Sequence, residues 1–132
     1  MSLSFRQDAY INGQWRESAK RFDVLNPANQ EVIARVPDLG AAETEEAIAA
    51  AHVAFPAWAA KPAKERAQIL RAWFDLMMAD IDRLARLISL EGGKPVAEAK
   101  GEAAYGASFM EWFGEEAKRA YGRTIPTTTA TR

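Results

Sequence analysis

The chain has 132 residues, 48% hydrophobic and 27% charged, which is the profile of a soluble globular unit of at most one domain. Seventeen basic residues against 18 acidic ones leave a net charge of −1, so there is no electrostatic case for nucleic acid or an anionic membrane as partner. Zero cysteines exclude disulfides, thiolate metal sites and a cysteine nucleophile within this stretch. No apolar run reaches bilayer length and the first residues are polar, so a cytoplasmic location is the default expectation.

Residues 8–36 read as β. Tyr10-Ile11 and Gln14-Trp15 flank Asn12-Gly13, a pair that accepts the positive φ angles of a type I′ turn. Phe22 to Leu25 and Glu31 to Val36 form a second pair around Asn26-Pro27-Ala28-Asn29, where proline fixes φ and asparagine favours a turn. Two-stranded ribbons are marginal in water, so this layer needs a surface to pack on.

Residues 41–121 read as helical. Glu43 to Ala54 forms a first helix, acidic in its opening turn, which Pro56 ends or kinks. A second follows Pro62, with Ile69, Leu70, Trp73, Phe74 and Met77 as its apolar face. Asp80 is placed to cap a third, carrying Ile81, Leu84, Leu87 and Ile88, and Gly92-Gly93 stops it. Pro95 opens a fourth, expected to run to Tyr121. One stripe on it is Val96, Ala99, Ala103, Gly106, Met110, Phe113, Ala117; a second is Tyr105, Phe109, Trp112. At 1.5 Å per residue this helix would be roughly 40 Å long. A compact domain of this size has a diameter of roughly 36 Å. Two apolar stripes ask for partners on two sides, and the shorter helices can cover only one.

Few residues suggest chemistry. The lone histidine, His52, lacks the companions a metal site needs and reads as a solvated helix residue. Gly101 and Gly106 have the spacing of a phosphate loop, but Ala107 stands where a lysine is required and the glycines lie inside a helix pattern. Close helix packing explains them better. Glu98 and Glu102 share a helix face, with Lys94 and Lys100 near enough to offset their repulsion, and Glu115 with Arg119 reads as a surface i,i+4 pair.

The block Glu91 to Pro126, EGGKPVAEAKGEAAYGASFMEWFGEEAKRAYGRTIP, together with Tyr10 to Trp15 and Phe22 to Ala28, resembles the front part of NAD(P)-dependent aldehyde dehydrogenases. Ala99 to Glu102 and Phe109 to Phe113 look most like the succinate-semialdehyde dehydrogenase branch. Gly92 and Gly40 depart from common family choices, a bulkier residue and a Thr or Ser cap respectively.

The resemblance implies an α+β piece, two small N-terminal hairpins followed by four helices, belonging to an α/β enzyme. Residues 124–132 would start its oligomerisation arm. The helix before Thr-Ile-Pro borders the family's substrate entrance, where Tyr105 falls at a matching point and Phe109 lies one turn on. The family's thiolate, glutamate base, oxyanion-hole asparagine and dinucleotide fold lie C-terminal to this segment, so no catalytic, cofactor-binding or metal residue maps here. NAD or NADP is expected for the complete enzyme and none for this chain alone. The expected partners are the rest of the dehydrogenase polypeptide or a neighbouring subunit, with self-association through helix 95–121. The alternative is a non-enzymatic helical binding or assembly module.

Overall fold

A computed structural model describes residues 5–123 and Pro126. The expected arm, 124–132, therefore lies almost entirely outside the described residues.

Two antiparallel hairpins come first: β1 (Ala9–Ile11) with β2 (Gln14–Arg16), and β3 (Arg21–Leu25) with β4 (Val32–Pro37). Asn12 and Gly13 sit at φ +51° and +75°, as a type I′ turn requires. That register sets Tyr10 opposite Trp15, their rings 4.9 Å apart. In the second turn the Asn26 side chain accepts from Ala28 N–H at 2.9 Å, and Gln30 takes the positive φ.

Four helices follow: α1 (Ala41–Ala59), α2 (Ala63–Ala79), α3 (Ile81–Gly92) and α4 (Val96–Glu116). The first outruns its expected end, because Pro56 lies inside it. Proline withholds only the bond to the His52 carbonyl, and that segment is exposed, so water can satisfy the orphan oxygen. By contrast α4 ends five residues early. Ala117–Arg119 tightens into a 3-10 turn, and the backbone leaves helical geometry at Ala120, φ −78° and ψ 68°. At 21 residues it is about 32 Å long.

Asp80 occupies the N-cap position of α3 but makes no capping bond. Its carboxylate binds the Arg83 guanidinium instead, and that hydrogen bond holds its pKa below the ordinary carboxylate value. Gly93 ends α3 at φ +73°, and its missing side chain leaves room for the Pro27 ring of the second hairpin's turn, which an added Cβ would meet at 2.8 Å. The hairpin layer is thus seated on the end of α3.

The core is a contact of small residues. Helix α4 packs against both α2 and α3. Ala67 of α2, Ala85 of α3, and Ala99, Ala103, Ala107 and Gly114 of α4 are buried. No large side chain among the described residues is fully buried. A methyl group at Gly114 would just touch the Leu70 Cβ at 3.4 Å, so this glycine lets α2 and α4 close up. Ion pairs fasten the edges: Arg71 to Glu111 at 3.2 Å between α2 and α4, and Lys100 to Asp82 at 2.6 Å between α4 and α3.

The two glycines given a packing role above do not have one within this chain. A Cβ at Gly101 or Gly106 would meet nothing within 4 Å. The apolar face expected for α2 also divides. Leu70, Phe74 and Met77 turn half-buried toward α4, while Ile69 and Trp73 face outward. Residues three and four apart share a face only over about a third of the helix circumference, and this set spans more.

Candidate substrate-entrance face

The side of α4 opposite its alanine contact carries a ladder of aromatic rings. Tyr105, Phe109 and Phe113 follow at four-residue steps, so each ring lies one turn above the last. The Tyr105 and Phe109 rings meet edge to face, with centroids 4.9 Å apart and planes at 79°. Phe109 and Phe113 are near parallel at 6.4 Å. Trp112 stands beside them. All four are open: Tyr105 67%, Phe109 40%, Trp112 64% and Phe113 55% exposed.

Together with Ser108 and the Glu111–Arg119 stretch, these rings border a shallow, open hollow built from this one helical run, with no opposing wall among the described residues. The lining is apolar at one end and charged at the other. The charges are already matched: Arg119 donates to Glu116 at 2.5 Å, and Lys118 pairs with Glu115 at 2.7 Å. The hydrogen bond from Lys118 holds the Glu115 carboxyl below its ordinary pKa. The Glu115–Arg119 pair expected from spacing is thus replaced by two i,i+3 pairs. The Ser108 hydroxyl donates to the Tyr105 carbonyl at 2.7 Å, so it is engaged with its own helix. What remains is an apolar surface suited to an aliphatic chain, with no activated nucleophile.

The two residues singled out from sequence, Tyr105 and Phe109, lie side by side here. Trp112 joins them as its stripe implied. Phe113 was placed on the other stripe, with Val96 and Met110, yet it belongs to the open face. Its i+4 relation to Phe109 was the available signal. The inward face is Ala99, Ala103, Ala107 and Gly114, with Met110 half-buried among them.

Elsewhere the described residues hold no cluster of three or more His, Asp or Glu able to bind a metal. His52 is exposed. The segment with the order of a dinucleotide turn, β4 to Gly40 to α1, does not fit a pyrophosphate. The Glu43 carboxylate already accepts from Gly40 N–H at 2.9 Å, placing an anion where the phosphate would sit. That bond holds the Glu43 carboxyl below its ordinary pKa, with its own N–H contributing less. Helices α2 and α4 open on Pro62 and Pro95, which have no N–H to offer. No helix of the described residues is long and apolar enough to cross a membrane.

The described residues thus make two small hairpins, an alanine-packed helix group and an open aromatic face. The chain belongs to the aldehyde dehydrogenase family, whose profile matches residues 15–132. Glutarate-semialdehyde dehydrogenase of Pseudomonas aeruginosa is 60% identical over 124 residues, which is 92% of this chain and 26% of the relative. The NADP(+) succinate-semialdehyde dehydrogenase GabD of Escherichia coli matches equally, 60% over 124 residues with the same two shares, 92% and 26%. The crystal structure of succinate-semialdehyde dehydrogenase from Burkholderia pseudomallei superposes with a TM-score of 0.91 at 54% identity, over 98% of this chain and 27% of that one. The chain thus spans about a quarter of the length of the relatives it matches, their N-terminal quarter.

Proposed function

We propose that this chain is the N-terminal portion of an NAD(P)+-dependent dehydrogenase that oxidises a short aldehyde carrying a distal carboxylate, succinate or glutarate semialdehyde. The observation that carries this reading is the 60% identity, over 124 residues, to dehydrogenases named for those two substrates. NADP+ is named for the E. coli relative, and NADP+ or NAD+ serves as hydride acceptor here. The enzyme is cytoplasmic.

Within that enzyme the chain's own residues position and exclude rather than react. Tyr105 and Phe109 form one wall of the substrate entrance. Their rings, 4.9 Å apart, guide the aliphatic part of the semialdehyde and keep water from it. The chain alone does not oxidise aldehydes, since it has no cysteine to form the thiohemiacetal. Its open aromatic face joins the rest of the polypeptide or a neighbouring subunit. In isolation that face drives self-association.

The test joins this chain to the remaining three quarters of the E. coli relative. NADPH should appear at its absorbance band with either semialdehyde, while the chain alone should match a no-protein control. Replacing Tyr105 and Phe109 by Ala in the joined enzyme should raise KM more than it lowers kcat. An active enzyme with unchanged KM would remove both residues from the entrance. An inactive joined enzyme would sink the whole reading.

A further inference from the structure

The chain has three asparagines, and only Asn12 is followed by glycine. Glycine has no Cβ to screen its amide nitrogen, so that nitrogen can reach the side-chain amide of the residue before it. Asn12 and Gly13 are both exposed at the tip of the first hairpin. Among the described residues nothing hydrogen-bonds the Asn12 side chain. The other two asparagines are protected, each differently. Asn26 precedes Pro27, whose nitrogen has no hydrogen to give up, and its side-chain oxygen accepts from Ala28 N–H at 2.9 Å. Asn29 precedes Gln30, whose side chain crowds the nitrogen. The Asn29 amide also donates to the Glu31 carboxylate at 2.9 Å and accepts from Glu31 N–H at 3.1 Å.

We propose that Asn12 is a self-modification site gated by opening of the first hairpin. The Gly13 nitrogen attacks the Asn12 side-chain carbonyl carbon. A new N–C bond forms, the bond to the amide nitrogen breaks, and ammonia leaves with the Gly13 proton. The product is a five-membered succinimide ring. Water then adds to one of its two carbonyls. Opening on the side-chain side gives aspartate, and opening on the main-chain side gives isoaspartate. The folded turn prevents ring closure, which requires the Gly13 nitrogen to eclipse the Asn12 Cβ about the Cα–C bond. Asn12 sits at φ +51°, and the matching type I′ geometry holds ψ at about +30°. That turns the nitrogen nearly to the opposite side from Cβ, so the reaction waits on the hairpin leaving its turn. Each strand has three residues, and a ribbon that small is marginal in water. Its support on α1 is thin: the tip stands over Ala47, Ala50, Ala51 and Ala54, and Arg16 reaches Glu46. The conversion runs one way. Isoaspartate lengthens the backbone by a carbon, which a two-residue turn cannot hold in register, and either product sets a carboxylate against the alanine face.

The experiment incubates the intact chain, folded and in urea, and follows each asparagine by peptide mass spectrometry, with isoaspartate and aspartate products separated by chromatography. In urea Asn12 should convert well ahead of Asn26 and Asn29. In the folded chain it should convert about tenfold more slowly, the open fraction that roughly 1.4 kcal/mol of local stability leaves. Trp15→Ala removes the ring opposite Tyr10 and should bring the folded rate toward the urea rate. Arg16→Gln, which only loosens the tie to Glu46, should do so in part, and circular dichroism checks that the helices remain in each variant. Conversion at Asn12 no faster than at Asn29 in urea would overturn the site. Equal rates folded and in urea would overturn the gate, as would a folded rate that neither variant changes.

Discussion

Helices α1 and α4 are similar in length and both rich in alanine, yet they end in opposite conditions. No residue of α1 is buried, whereas α4 buries Ala99, Ala103, Ala107 and Gly114. Composition does not explain this, since α1 carries Ile48, Val53, Phe55 and Trp58, all open to solvent. What differs is the neighbour. α4 lies between α2 and α3, while α1 only rests against the first hairpin, with Arg16 reaching across to Glu46. Apolar groups gain stability only when something removes them from water. A helix that is apolar on several sides and covered on almost none is shaped for a larger body than this one.

If that contrast is right, the same substitution should act very differently in the two helices. Ala107→Leu forces three more carbons into a position with no exposed surface, between packed backbones. Overpacking of this kind costs about 1–3 kcal/mol or more. In a unit whose core is mostly alanine, that is enough to abolish cooperative unfolding. Ala49→Leu, exposed on α1 and outside its contact with the first hairpin, should change stability by less than about 0.5 kcal/mol. Urea denaturation followed by circular dichroism compares them, and equal costs would mean α1 is packed after all.

The alanine core also explains what could be read in advance. The hairpins were legible because Asn12-Gly13 and Asn26-Pro27 are chemically committed to turns. Four helices were legible from their prolines, Gly93 and their periodicity. The faces of α4 were legible in part: the Tyr105, Phe109 and Trp112 stripe is open and Ala99 and Ala103 of the other stripe face inward, but Phe113 of that second stripe is open too. Tyr105 and Phe109 were legible as part of an apolar stripe from their spacing; only their proposed role at a substrate entrance came from resemblance. The end of α1 was missed because an exposed proline in a helix has water to replace the bond it breaks.

A smaller effect concerns the joint between the hairpin layer and the helices. Gly93→Ala meets two penalties, a left-handed backbone that costs an L-residue about 1–2 kcal/mol and a Cβ that would lie 2.8 Å from the Pro27 ring. The ring can shift, so a loss of roughly 1–2 kcal/mol is expected. Faster amide exchange confined to β3 and β4 would show that the layer loosens as a unit. No change there would mean the hairpin is held by other contacts.

The outer face of α4 should tolerate what its inner face does not. Changing Phe109 and Trp112 together to Ser removes two open rings and should leave stability within about 0.5 kcal/mol in either direction. Self-association in sedimentation and binding of a hydrophobic dye should both fall. A large loss of stability would instead place these rings in a self-sufficient core, and would favour the non-enzymatic module over the dehydrogenase part.

The smallest effect is electrostatic and tests how α1 persists without burial. Its first turn is held by the Glu43 carboxylate accepting from Gly40 N–H, which sets that carboxyl below its ordinary pKa. A group whose folded pKa is depressed contributes stability that is present above its unfolded pKa and is lost as pH falls through the folded value. Helicity at the start of α1 should therefore be constant near neutrality and should decline on acidification below the ordinary glutamate range. Glu43 is solvated, so the decline is small and survives moderate salt only in its hydrogen-bonded part. Glu43→Gln keeps an acceptor for Gly40 N–H but removes the charge, and should flatten the acid limb with little loss at pH 7. Following the Gly40 and Thr44 amide resonances across pH 2 to 7 reads this directly. A limb that persists unchanged in the Gln variant would assign it to Asp80, Asp82 or Glu115, the other carboxyls held below their ordinary values by cationic neighbours, and would leave α1 capped by its backbone alone.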